Sequence, residues 1–112
     1  MATPVGAVGQ SLDEHAIRDM VSGNTATYFS ADLSAVKSYF APGGALRGLY
    51  KGREFIGRWS VENGRLCVDL PGSVDDACRT IVRRHGHDLQ LFTKAGEPAG
   101  NFVIEHGNPE GF

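Results

Sequence analysis

The sequence predicts a mainly β fold, in which one short N-terminal helix precedes eight antiparallel strands that form a meander closed into a small barrel or strongly coiled sheet. Four X-Gly dipeptides, at residues 51–52, 63–64, 85–86 and 95–96, separate runs in which apolar and polar residues alternate. Glycine reaches positive φ without a Cβ clash, so an X-Gly dipeptide between alternating runs is a strong hairpin signal. Hairpins in series pair each strand with the next one along the chain.

The helix is predicted over residues 12–22. Ser11 followed by Glu14 fits a capping box, in which the serine caps the helix and the glutamate reaches back. Apolar residues then recur at helical spacing, and Gly23 and Asn24 supply the stop.

The eight strands are bounded by turn residues and carry the period-two alternation of a half-buried sheet. They are predicted over residues 25–30, 35–40, 45–50, 53–62, 65–70, 77–84, 87–94 and 97–106.

Pairing residues outward from each turn predicts the register of the hairpins. Around residues 63–64, Trp59 falls opposite Val68 and Arg58 falls opposite Asp69. Apolar residues therefore meet apolar ones and opposite charges meet, as cross-strand pairing requires. A one-residue slip would break all of these pairs at once.

The same procedure at the 85–86 turn sets Arg83 opposite Asp88 and Val82 opposite Leu89. Gly48 falls opposite Phe55, which permits a sharp bend or lets the ring lie over the glycine. The predicted inner face is largely apolar and comprises Leu46, Tyr50, Phe55, Trp59, Val61, Leu66, Val68, Leu70, Thr80, Val82, Leu89, Leu91, Phe102 and Ile104.

Composition limits the function classes. The chain of 112 residues carries a formal net charge of −2, which disfavours nucleic-acid binding, and no apolar run approaches a membrane span. Its basic residues concentrate at Arg79, Arg83 and Arg84, and Arg79 shares with Arg83 a strand face that we expect to be solvated. We expect residues 1–10 to be a flexible segment and residues 11–112 a single β-barrel domain.

Two cysteines, Cys67 and Cys78, flank a segment rich in turn-forming residues. A disulfide between them would close a loop of about 12 residues. By the loss of chain entropy in the unfolded state, it would stabilise the fold by ~3 kcal/mol. It would indicate a periplasmic or secreted protein whose signal peptide has been removed. The alternative is a pair of buried free thiols in a cytoplasmic protein. Counting along the strands places Cys78 on the inner face and Cys67 on the outer one, so a bulge or an incorrect strand boundary is also expected here.

The tripeptide Gly57-Arg58-Trp59 resembles the Gly-x-Trp element of lipocalins, and this resemblance implies a lipocalin-like or calycin-like architecture. A wider pattern is similar to small, uncharacterised exported proteobacterial β-meander proteins. That resemblance implies export and the disulfide, and it implies no activity. The residues that carry it are Gly23-Asn24-Thr25, Tyr39-Phe40-Ala41-Pro42-Gly43-Gly44, Gly57-Arg58-Trp59-Ser60-Val61, Leu66-Cys67, Cys78 and Gly107-Asn108-Pro109.

No motif indicates catalysis or requires a cofactor, since the sequence has no nucleophile elbow, phosphate loop, zinc-protease pair or Cys-x-x-Cys. Three histidines, His85, His87 and His106, are predicted to gather at one rim of the barrel. They could bind a transition metal or haem, or they could be polar caps on ordinary turns. Covalent haem is excluded because there is no Cys-x-x-Cys-His.

The sequence therefore favours a non-catalytic exported binding protein. Its predicted ligand-binding residues, around an interior that holds a small apolar molecule, are Tyr50, Phe55, Trp59 and Phe102. The alternatives are a protein–protein interaction or inhibitor module of the cell envelope, and the metal or haem site at the histidine rim.

Overall fold

The computed structural model describes residues 10–29, 35–70, 77–84 and 89–112. It confirms the predicted fold class, and the bounds of its elements differ from the predicted ones by one or two residues at several ends. In chain order the elements are β1 (Gln10–Ser11), α1 (Glu14–Val21), β2 (Asn24–Phe29), β3 (Ala35–Phe40), β4 (Ala45–Tyr50), β5 (Arg53–Glu62), β6 (Arg65–Asp69), β7 (Ala77–Arg83), β8 (Leu89–Phe92) and β9 (Pro98–Glu105).

Strands β2 to β9 form a closed antiparallel barrel. Each strand pairs with the next one along the chain, and the first, β2, pairs with the last, β9. The short β1 lies beside β7, with Ser11 opposite Val82. Closure leaves no long edge strand in the meander, which removes the main aggregation hazard of a sheet.

The register of the β5–β6 hairpin is the predicted one. Trp59 pairs with Val68, and Arg58 pairs with Asp69. The turn between these strands has φ of 52° at Asn63 and 73° at Gly64. Two successive residues at positive φ are what a two-residue hairpin of type I′ requires, and they match the right-handed twist of the strands.

The register of the β7–β8 hairpin differs from the prediction by one residue. Arg83 pairs with Leu89 and Val82 pairs with Gln90, so residues 84–88 connect the two strands. A tight turn at His85-Gly86 would not produce this register, although residues 85–88 themselves lie outside the described part of the chain. Because side chains alternate along a strand, the shift turns every residue of β7 to the opposite face.

The predicted inner face of β7 was therefore wrong. Ile81 is fully buried and Arg79 faces the interior, whereas Thr80 was expected inside. The shift also resolves the disagreement over the cysteines, because Cys67 and Cys78 now pair directly across β6 and β7 on the outer face. They form a disulfide.

The helix begins two residues later than predicted, at Glu14. Its N-cap is Asp13, whose Oδ1 accepts a hydrogen bond of 2.8 Å from the backbone N of Ala16. Ser11 cannot cap the helix because it belongs to β1. Glu14, the expected partner of Ser11, instead accepts a hydrogen bond from the backbone N of Gly64, 3.2 Å away.

Helix α1 covers one end of the barrel, where it packs against β2, β5 and β6. Ile17 and Val21 are fully buried there. Arg18 Nη2 donates to the main-chain oxygen of Val61 at 3.2 Å, and Asn24 Nδ2 donates to that of Met20 at 2.9 Å. Within the described residues, no helix has the length and hydrophobicity that crossing a membrane requires.

The segment after β9 folds back onto the outer surface of the barrel. Lys37 Nζ, on β3, lies 2.9 Å from Glu110 Oε1 and 3.4 Å from Glu105 Oε1. The hydrogen bond to Glu110 raises the pKa of Lys37, and the charge of Glu105 adds to the effect. Asn108 ties the segment to itself by exchanging two hydrogen bonds with the backbone of Phe112.

Candidate functional site

A cavity of about 180 Å³ lies inside the barrel. Every strand from β2 to β9 contributes at least one side chain to its wall, so the cavity is a property of the closed barrel. Among the described residues, the lining is apolar apart from one arginine, one serine and the hydroxyl of one tyrosine. The lining residues are Ala26, Tyr28, Val36, Ser38, Phe40, Leu46, Phe55, Leu66, Val68, Leu70, Arg79, Leu91 and Phe102.

The cavity lies away from the helix. The barrel end under α1 is filled by Ile17, Val21 and Val61, and these three residues do not contribute to the cavity wall. The wall instead extends to Phe55 near the start of β5 and to Leu70 just beyond β6, which lie at the opposite end. The connections at that end between β2 and β3, and between β6 and β7, include residues outside the described part of the chain.

Two aromatic rings of the cavity wall, Phe55 and Tyr28, each lie close against a glycine. A methyl group placed on Gly48 would lie 2.6 Å from Cζ of Phe55, and one placed on Gly100 would lie 2.7 Å from Cε1 of Tyr28. The Tyr28 hydroxyl is further fixed by donating a hydrogen bond to the main-chain oxygen of Ala99. The predicted pairing of Gly48 with Phe55 is confirmed, and of the two expected uses of the glycine the structure shows a ring placed against it. Rings held against the wall leave the centre of the barrel unfilled.

Polar groups stand on two opposite walls of the cavity. Arg79 lies on β7 and Ser38 lies on β3, which are four strands apart in the ring of eight. Ser38 is buried. Arg79 Nη1 donates a hydrogen bond of 2.9 Å to the main-chain oxygen of Cys78. Arg79 and Arg83 share a face of β7, as expected, but the expectation that this face is solvated was wrong for Arg79, which lines the cavity, whereas Arg83 at the end of the strand is exposed.

The four predicted ligand-binding residues occupy different positions. Phe55 and Phe102 line the cavity. Trp59 is not among the lining residues but contacts one of them: its ring packs edge-on against Phe40 at a centroid distance of 5.7 Å. Its Nε1 donates a hydrogen bond of 2.8 Å to the main-chain oxygen of Ala41. Tyr50, at the end of β4, has 40% of its surface exposed and is not part of the lining.

Sequence reasoning missed several residues of the wall, above all Tyr28, Ser38, Phe40 and Arg79. The first three lie on β2 and β3, for which no inner face had been assigned. Their alternation, with apolar or small residues at every second position, could have placed them inside. Arg79 was missed because β7 carries two adjacent apolar residues and its inner face is ambiguous.

The predicted histidine rim is described only in part. His106 is exposed just beyond β9 instead of sharing the inner face, and its Nδ1 lies 3.2 Å from Oδ1 of Asn24. His85 and His87 lie outside the described residues. Among the residues that are described, no three histidine, cysteine or acidic side chains are placed to share a metal ion. A metal or haem site at the rim stays a prediction.

The geometry is thus that of a closed barrel with a mainly apolar cavity, and the polar residues among its described lining are Arg79, Ser38 and Tyr28. Comparison with known protein families, with curated proteins and with solved structures gives no match for this chain. Its function has to be inferred from the chemistry of the cavity.

Proposed function

We propose that this chain is a non-catalytic, exported β-barrel protein that binds a small apolar ligand in its interior. The cavity of about 180 Å³ carries the proposal. Protein interiors are close-packed, and voids larger than a water molecule are few. Leaving an apolar cavity unfilled forfeits packing contacts of its lining, at a cost of about 24 cal/mol per Å³ where the cavity is fully enclosed. A ligand that fills it recovers much of that free energy.

The size of the cavity limits the size of the ligand. An apolar cavity of about 150 Å³ is known to hold one benzene molecule. Sites for drug-sized molecules usually span ~300–1,000 Å³. A cavity of about 180 Å³ therefore suits a single aromatic ring or a short aliphatic chain.

The disulfide supports the exported location. Cys67 and Cys78 are directly opposed on neighbouring strands and bonded to each other. Disulfides form and persist in oxidising compartments and are rare in the cytosol. The resemblance to exported β-meander proteins supports the same location.

Methyl NMR with toluene as the probe tests ligand binding in the interior. We expect toluene to shift the methyl resonances of Leu66 and Leu91, which line the cavity. Val68→Phe puts an extra ring into the wall and should abolish these shifts. Val103→Phe is the matched control, because Val103 is 51% exposed on the outer face of β9 and the same substitution there leaves the cavity intact.

The proposal is contradicted if the wild-type protein gives the spectrum of a folded chain but toluene does not shift the methyl resonances of the cavity residues. Trp59 fluorescence gives a second measurement, since Trp59 contacts the cavity wall through Phe40. Native mass spectrometry of protein from its own host would then identify the resident molecule. A host-derived protein that carries only another polypeptide would favour the interaction module instead.

A further inference from the structure

We infer that the ligand is a small apolar molecule with a carboxylate group, and that Arg79 is the residue that recognises it. This inference rests on the proposed function, because it assigns the ligand class of the same cavity. It depends on one observation that composition alone does not suggest: Arg79, a strand residue with a full positive charge, lines a cavity whose other described residues are mostly apolar.

The register fixes the inward direction of Arg79. Arg79 pairs with Leu66 across β6 and β7, and paired residues share a face of the sheet. Leu66 is buried and lines the cavity. The next inward residue of β7, Ile81, is fully buried and pairs with Leu91, which also lines the cavity. Arg79 is thus held inside by the same alternation that buries its neighbours.

The guanidinium of Arg79 can donate further hydrogen bonds. A guanidinium has five N–H donors. In the part of the chain that the structure describes, Arg79 makes one side-chain hydrogen bond, to the main-chain oxygen of Cys78, and no ion pair. Arg79 is half-buried, and a charge that is partly withdrawn from water is stabilised by an opposite charge nearby. A ligand carboxylate would supply that charge and accept two parallel hydrogen bonds from the planar fork.

The rest of the wall suits the apolar part of such a ligand. Across the barrel from Arg79, the β3 side chains of Val36 and Phe40 flank the single hydroxyl of Ser38. Phe55 adds an aromatic surface. A monocarboxylate with one ring or a short chain would place its anionic end at Arg79 and its tail against these residues. A cationic ligand would meet the like charge of Arg79 and be disfavoured.

Two matched pairs of probes test the inference at neutral pH, where the acids are ionised. Benzoate is compared with benzyl alcohol, and hexanoate with hexanol, so that each pair keeps its tail and differs in its anionic group. We expect the wild-type protein to bind the carboxylate of at least one pair about ten- to a hundredfold more tightly than the alcohol, the range for hydrogen bonds to charged groups. Which pair is preferred distinguishes an aromatic acid from a short fatty acid.

Variants of β7 identify the residue responsible. Arg79→Met should remove the preference for the carboxylate while alcohol binding is retained, which also shows that the variant is folded. Arg79→Lys should give an intermediate preference, because lysine keeps the charge and loses the fork. Arg83→Met is the matched control: it removes the same charge from an exposed position of the same strand and should behave as the wild type.

The possible failures are distinguishable. If the carboxylates and alcohols bind the wild-type protein equally, or if Arg79→Met keeps the preference, the inference is overturned and the cavity remains a binding site for neutral molecules. If none of the four probes binds, the proposed function fails and the ligand class fails with it.

Discussion

Replacing Gly48 by alanine should destabilise the barrel strongly, although alanine is normally tolerated in a strand better than glycine. A methyl group at this position would overlap the main-chain oxygen of Lys37 on β3 and lie 2.6 Å from Cζ of Phe55. Real Cβ atoms essentially never approach other heavy atoms this closely. The Phe55 ring could swing into the cavity, but the Lys37 oxygen belongs to the paired strand and moves only if β3 and β4 separate.

The expected magnitude follows from these two contacts. Inserting one methyl group into a packed interior typically costs ~1–3 kcal/mol. Because a backbone atom has to move, we expect a value near the upper end, about 2–3 kcal/mol. With an m-value of about 1.5 kcal/mol per M, this lowers the urea midpoint by roughly 1.3–2 M. The loss is a large share of the ~5–15 kcal/mol that stabilises a typical domain.

Urea unfolding followed by Trp59 fluorescence measures the effect. Gly43→Ala is the matched control, because Gly43 has no other atom within 4 Å of the added methyl group and no positive φ. We expect the control to keep the wild-type midpoint or to exceed it slightly. Equal midpoints for Gly48→Ala and Gly43→Ala would refute the steric reasoning and the close approach of Phe55 to Gly48.

Three further predictions concern the outer disulfide, the helix and the C-terminal segment. Cys67→Ser/Cys78→Ser should lower the free energy of unfolding by ~3 kcal/mol, and the native protein should show no thiol to an alkylating reagent in an intact-mass measurement without reductant. Ile17→Ala should cost about 2–5 kcal/mol in urea unfolding, because Ile17 is fully buried where α1 covers the barrel; a cost below 1 kcal/mol would contradict that packing. Since the folded-state pKa of Lys37 is raised above its usual 10.5 by Glu110, its ion pairs stabilise the fold below that pH and weaken as the pH rises through the raised value. Thermal unfolding of Lys37→Met should therefore differ from that of the wild type at pH 8, and the difference should shrink as the pH rises through the raised pKa of Lys37. A difference that does not shrink would show that Lys37 acts through packing.

Turn chemistry made most of the barrel predictable from the sequence. A two-residue turn such as Asn63-Gly64 fixes which residues face each other on both flanking strands, so one local feature determines a register of many residues. The hydrophobic alternation of β5 and β6 agrees with that register. At Trp59 and Val68 the turn and the hydrophobic alternation predict the same pairing, and the structure has that pairing.

The candidate site could be predicted less well, because its one charged residue lies on the strand with the weakest pattern. Ile81 and Val82 are adjacent apolar residues, so alternation does not decide which of them is inside. The register of β7 was therefore predicted from the turn that follows it. That prediction was wrong, because Arg83 pairs with Leu89 and not with Asp88. The cysteine pairing was the better guide, since Cys67 and Cys78 can be bonded only if Arg79 faces inward.

Closure of the meander at β2 and β9 has a kinetic consequence. Among the described strands of the barrel, this ladder is the one without a hairpin connection, and Thr25 reaches across it to donate a hydrogen bond to Gly107, 82 residues away in the sequence. Local hairpins form in about 1–10 μs, whereas contacts distant in sequence must first overcome the entropy of closing a long loop. We therefore expect an open ribbon to form early in refolding and its closure at Thr25 to be the rate-limiting step, so that substitutions along this seam slow folding more than those within any single hairpin.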